Sequence, residues 1–177
     1  MLRTVPAAGY IYDCHAASAM NIDHILETMN RCGVAYLLFG GVNFLLRHGP
    51  ILTFDIDLWI GDTAENLARC EKALAELQAE WGPSQADWQP VSRLGPGWLD
   101  RQAVHCLSSP HGAIDIFRRV TGLQDWGRCR ARAEPRETSG GVPYFGLCDA
   151  DMLECQLALP EPDRRQDRIR ALRKALG

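Results

Sequence analysis

Asp55 and Asp57 stand one residue apart in Thr53-Phe54-Asp55-Ile56-Asp57-Leu58-Trp59-Ile60, a run whose apolar residues mark a largely buried strand. Side chains alternate along a strand, so the two carboxyls share a face, their β-carbons roughly 6.6 Å apart at about 3.3 Å of rise per residue. That spacing lets both lean on one or two cations. Unpaired carboxylates in apolar surroundings are costly, and magnesium offsets the cost because it takes oxygen ligands, commonly one or two carboxylates together with substrate phosphates. Asp115 repeats the anomaly within Ile114-Asp115-Ile116-Phe117. Gly40-Gly41 adds a second kind of feature, a glycine pair between an apolar run and a helical segment. There backbone amides can approach a phosphate and the helix dipole favours an anion. Singly, each feature has a plainer reading: a strand face that meets water, or a tight turn. Their coincidence points to chemistry.

The elements that must position these residues follow from periodicity. Asn21 or Asp23 caps a helix with Ile22, Ile25, Leu26 and Met29 on one face, stopped at Cys32-Gly33. Val34 to Phe39 reads as a buried strand and Val42 to His48 as a short helix closed by Gly49-Pro50. Beyond the Asp55/Asp57 strand, Asp62 or Thr63 caps an amphipathic helix from Ala64 to about Ala79, and Trp81 to Gly97 reads as mainly loop. Gln102 to Leu107 and Ala113 to Val120 are strands joined by a hairpin-like turn, and Gly141 to Leu147 is an edge strand. Helices close the chain from Asp149 to Leu159 and from about Arg164 to Leu176. The pattern predicts an α/β (α+β) fold, a mixed sheet flanked by helices. An N-terminal arm is expected over 1–20, a core over 21–147 and a C-terminal helical segment packed on that core over 148–177.

Composition narrows the class. The chain has 177 residues, 46% hydrophobic and 23% charged, with a formal charge of −3, which suits one ordinary globular domain. Its longest apolar stretch, Ala35 to Leu46, falls short of the roughly 20 residues of a spanning helix. No membrane association is expected, and with no secretory signal at the N-terminus the expected location is cytoplasmic. Seven cysteines without a C-x-x-C pair argue against a disulfide framework or a zinc ribbon, and Cys14-His15 lacks further ligands at metal spacing. Arg164, Arg165, Arg168, Arg170, Arg173 and Lys174 make the last helix basic, more in keeping with a solvated face than with nucleic-acid binding.

Leu38-Phe39-Gly40-Gly41-Val42, followed after a short helix by Thr53-x-Asp55-x-Asp57, resembles the signature of the nucleotidyltransferase superfamily, which includes polymerase β and kanamycin nucleotidyltransferase. The nearest likeness is to the minimal and small AbiEii-like nucleotidyltransferases of bacteria, some of them toxin–antitoxin components. The likeness covers residues 20 to 120 well and the C-terminal helices more loosely. It implies phosphoryl transfer with Mg²⁺ or Mn²⁺ held by Asp55, Asp57 and Asp115, a nucleoside triphosphate, ATP by expectation, as donor, and an unidentified hydroxyl as acceptor. Gly40, Gly41, Thr53 and Arg47 are the expected nucleotide-binding residues, and Asp115 also helps deprotonate the acceptor. Two departures stand out. Ile51 replaces an arginine found in many small relatives, and Gln156 and Gln166 align where the C-terminal helices often carry lysine. Arg47, Arg164 or Arg165 are the candidates to compensate. The alternative implied by these departures is a catalytically weak or inactive binding module of the same fold, working with a protein partner.

Overall fold

The computed structural model describes residues 20–177, so the N-terminal arm, apart from Met20, and the Cys14-His15 pair lie outside the described residues. Helix α1, Ile22–Arg31, starts at Asn21, whose side chain accepts the N–H of His24 at 3.1 Å, and stops where Gly33 adopts φ +70°. Strand β1, Tyr36–Phe39, runs directly into helix α2, Gly40–His48. The diglycine is thus the first turn of that helix rather than a turn ahead of it. Strand β2, Asp55–Ile60, leads to helix α3, Ala64–Glu76, capped by Thr63. That helix ends three residues before Ala79 because Gln78 takes a left-handed φ of 54°.

The stretch expected to be mainly loop holds two short paired strands, β3 (Glu80–Trp81) and β4 (Gln89–Pro90), and three single-turn 3-10 helices occur between Gln85 and Arg101. Strands β5, Val104–Leu107, and β6, Ala113–Phe117, form the anticipated hairpin. Two elements were not signalled by sequence pattern: helix α4, Trp126–Arg132, capped by Asp125, and strand β7, Glu134–Glu137. Strand β8 (Pro143–Gly146), helix α5 (Asp149–Ala158) and helix α6 (Gln166–Leu176) complete the chain. Because β7 pairs with β8, the strand expected at an edge is interior. The six strands run in the order β5-β6-β2-β1-β8-β7. Pro135, which has no N–H to donate to a ladder, suits β7 to the edge it occupies.

The sheet is mixed: β2 runs antiparallel to β1 and parallel to β6, and β1 runs parallel to β8. Alternation gives β2 and β6 two unlike faces. Ile56, Leu58, Ile60, Ile114 and Ile116 are all fully buried, in the apolar cluster that includes α1 and α3 residues. Asp55, Asp57 and Asp115 point the other way, toward the side where α4, α5 and α6 build a second cluster around Phe39, Phe44, Trp59 and Leu172. No described helix is long and apolar enough to cross a membrane.

Candidate functional site

Parallel pairing of β2 and β6 brings the acidic residues together. Asp57 stands opposite Asp115 on β6 and opposite Phe39 on β1, while Asp55 pairs with Ala113. Strands lie about 4.8 Å apart, so Asp57 and Asp115 are side-by-side neighbours on one face. All three side chains are half-buried, and none forms an ion pair among the described residues.

The diglycine is where helix α2 meets this cluster. Phe39, at the helix N-cap, offers no side-chain acceptor, and the Asp57 carboxylate takes that place: its Oδ2 accepts the Gly41 N–H at 3.3 Å. Both glycines are required by close approach. Gly40 has φ +63°, and a Cβ there would collide with the Asp57 carboxylate, while one on Gly41 would collide with the Thr53 hydroxyl. Thr53 in turn donates to Asp55 Oδ1 at 3.3 Å.

Crowding of like charges in a half-dry site raises the acids. Burial, then Asp55 and Asp115, push Asp57 up to about 8 against the opposing pull of the Gly41 N–H and Arg168. Burial and then Asp55 push Asp115 up to about 6. The Cys106 thiol, opposite Asp115 on β5, is pushed up to about 12 by burial and by Asp115. The three carboxylates form no ion pair among the described residues, and their oxygen donors are the kind a hard divalent ion takes. Among the described residues no group of three or more His, Cys, Asp or Glu could hold a metal as it stands. The donors therefore fit a magnesium-type ion that takes one or two carboxylates and completes its shell with water and substrate phosphates, rather than a caged structural metal.

A cleft of about 360 Å³ opens beside the carboxylates, lined by Gly40, Gly41, Thr53, Asp55 and Asp57 on one side and by α5 and α6 on the other. Asp115 adjoins the cleft without lining it. Two cations face in from the chain that leads into and forms α6, Arg165 and Arg168; Arg168 Nη2 lies 3.6 Å from the point a Gly41 Cβ would occupy. Arg168 was visible in the sequence only as one member of a basic run. Its signal is the i, i+4 spacing to Leu172, whose buried face sets Arg168 beside the cleft rather than in solvent.

Arg47, expected to bind nucleotide, is not in the cleft. Its side chain is 4% exposed and its guanidinium is held by Glu134 at 2.9 Å and Asp149 at 2.7 Å, at the far end of α2 from the diglycine. Arg164 spends its Nε–H on the Leu159 carbonyl at 2.8 Å and also lies outside the lining, whereas Arg165 is part of it. Ile51 packs against the second apolar cluster. Gln156 lines the cleft and Gln166 does not.

No family profile matches this sequence, and no curated protein is significantly similar to it. Solved structures are. The crystal structure of ANT(2'')-Ia in complex with adenylyl-2''-tobramycin superposes with a TM-score of 0.56 at 13% identity, over 87% of this chain and 86% of that one. The solution structure of the same antibiotic-resistance factor gives 0.52 at 13% identity, over 87% and 81%. A nucleotidyltransferase described from Thermotoga maritima gives 0.44 at 17% identity, over 86% and 88%, a likeness too loose to argue from.

Proposed function

Starting from the nucleotidyltransferase fold that this chain carries, we propose that it transfers a nucleoside monophosphate from a nucleoside triphosphate to a hydroxyl acceptor, with a divalent cation. The observation that carries the reading is the rung shared by Asp57 and Asp115, two carboxyls with no ion pair among the described residues, beside a helix that begins on two glycines. Asp55 and Asp57 are the residues to hold Mg²⁺ or Mn²⁺, with Asp115 as third carboxylate. The bound ion would neutralise charge on the triphosphate and on the leaving pyrophosphate.

The chain's own groups do the rest. Arg165 and Arg168 draw the phosphates into the cleft, opposite the start of α2, where dipole and backbone favour an anion. They stand in for the basic residues that Ile51, Gln156 and Gln166 do not provide. Asp115, beside Asp57 on the same face, is the carboxylate placed to accept the proton of the attacking hydroxyl. The new bond joins the acceptor oxygen to the α-phosphorus, the bond from that phosphorus to the bridging oxygen breaks, and pyrophosphate leaves. Alignment and charge neutralisation supply most of the acceleration.

Calorimetric titration of nucleoside triphosphates into the full chain tests this. Binding is expected with Mg²⁺ or Mn²⁺, at least tenfold weaker without either and in Asp55→Asn. Absence of binding to the folded protein under all conditions would remove the enzyme reading and favour the binding-module alternative with a protein partner.

A further inference from the structure

The phosphate side of the cleft depends on an arginine that no polar group holds. Among the described residues Arg168 forms no hydrogen bond and no ion pair, although its Nη2 lies 3.6 Å from the point a Gly41 Cβ would occupy and its charge is felt by Asp57. A long side chain is costly to order, and a carboxylate so near offers it a competing place to go. An ion pair between Arg168 and Asp57 would neutralise the acid that the cation needs and occupy N–H groups that phosphate needs. Something other than a carboxylate must fix the guanidinium.

Phe44 is placed to do so. Three residues beyond Gly41, it shares a face of α2 with that glycine, and both line the cleft. The Arg168 guanidinium carbon stands over its ring, 5.8 Å from the centroid, within reach of the attraction between a cation and a ring face. The ring is itself held in place. It is 6% exposed, belongs to the second apolar cluster together with Leu172 of α6, and is flanked by His48 one turn further along α2, ring centroids 4.8 Å apart. His48 in turn is held by Asp149 at 2.9 Å from its Nε2.

We propose that Phe44 is the positioning residue for Arg168, its ring face holding the guanidinium beside the first turn of α2 so that the charge serves the triphosphate rather than Asp57. A ring face attracts a cation through its quadrupole while carrying no net charge of its own, so the guanidinium is fixed without being neutralised. A leucine would fill the same space in the apolar cluster and offer no such attraction. The role of Phe44 is thus indirect: it acts on the phosphates through Arg168.

The inference rests on the cleft being a triphosphate site, and the test separates the two. ATP, GTP, CTP and UTP are titrated calorimetrically into the full chain with Mg²⁺, and the tightest is carried through Phe44→Leu, Arg168→Met and the double variant, with melting temperatures confirming that each is folded. A chain with pentafluorophenylalanine in place of Phe44 keeps the shape of the ring and removes the negative potential of its face. Arg168→Met is expected to weaken binding at least about tenfold. Phe44→Leu and the fluorinated ring are each expected to weaken it about threefold to tenfold, and Phe44→Leu to add nothing to the loss already caused by Arg168→Met. Should Phe44→Leu fail to fold, the fluorinated chain decides. Wild-type affinity in Phe44→Leu or in the fluorinated chain, or a Phe44→Leu loss of equal size with and without Arg168, assigns the ring to packing alone, overturns the positioning role and leaves the triphosphate site standing. Failure of every triphosphate to bind the folded wild type overturns both.

Discussion

The two faces of strands β2 and β6 make an instructive pair. On the face toward α1 and α3, Ile56, Leu58, Ile114 and Ile116 are packed dry, and even a histidine is absorbed: His105 on β5 is fully buried between Trp81 and Trp98, ring centroids 5.1 and 5.2 Å away, with no hydrogen-bond partner for either ring nitrogen among the described residues. Burial pushes it down to about 4, so it is neutral at ordinary pH. On the other face the same strands present Asp55, Asp57 and Asp115 to a cleft. Both faces carry ionisable groups that burial drives toward neutrality. Only the second leaves room for a cation to reverse that. The lesson is that alternation lets one strand serve as packing and as reactive surface, each side following its own rule.

The largest effect is expected from making the dry face resemble the wet one. Leu58→Asp puts a carboxylate where no cation can reach it and should cost about 4 kcal/mol or more, seen as loss of soluble, cooperatively melting protein. The reverse change, Asp57→Asn, splits activity from stability. Transfer should fall roughly 100- to 1,000-fold in a pyrophosphate-release assay, about 3–4 kcal/mol of barrier. Stability should rise instead. Asp57 titrates near 8 when folded and near 3.8 otherwise, so the folded chain binds more protons between those values and wild type loses stability as pH rises through that window. Thermal melts above pH 8 should show the variant melting higher than wild type, with the difference shrinking to little at pH 4. The smallest effect concerns His105→Phe. The unfolded chain binds the extra proton between pH 6.5 and about 4, so wild type loses stability as pH falls through that range. The variant should gain about 1–2 kcal/mol relative to wild type on going from pH 7.5 to pH 5, measured by denaturant titration. A gain that is the same at both pH values would assign the effect to packing alone.

What sequence pattern reveals here is whatever repeats locally. Aspartates alternating with isoleucines declare their own face, and Gly40-Gly41 ahead of a helical run declares a close approach. Arg47 shows the limit: it is a candidate to compensate for the arginine that Ile51 replaces, but seven residues of helix at about 1.5 Å each carry it to the end of α2 away from the diglycine, into the grip of Glu134 and Asp149. Strand β7 is Glu134-Pro135-Arg136-Glu137, with no apolar alternation, and is a strand only because β8 pairs with it. Arg168 depends on how α6 docks, which is a tertiary fact; helical periodicity could indicate its face but not what that face meets.

The parallel pairing of β2 with β6 sets an order of events for the nascent site. Asp57 and Asp115 share a rung yet are separated along the chain by a whole helix, a two-strand excursion and a hairpin. Local elements form well before such a distant pairing closes. A ligand needing both acids finds nothing to hold in a half-formed chain. Its presence should slow unravelling of the finished molecule and leave the speed of its acquisition untouched.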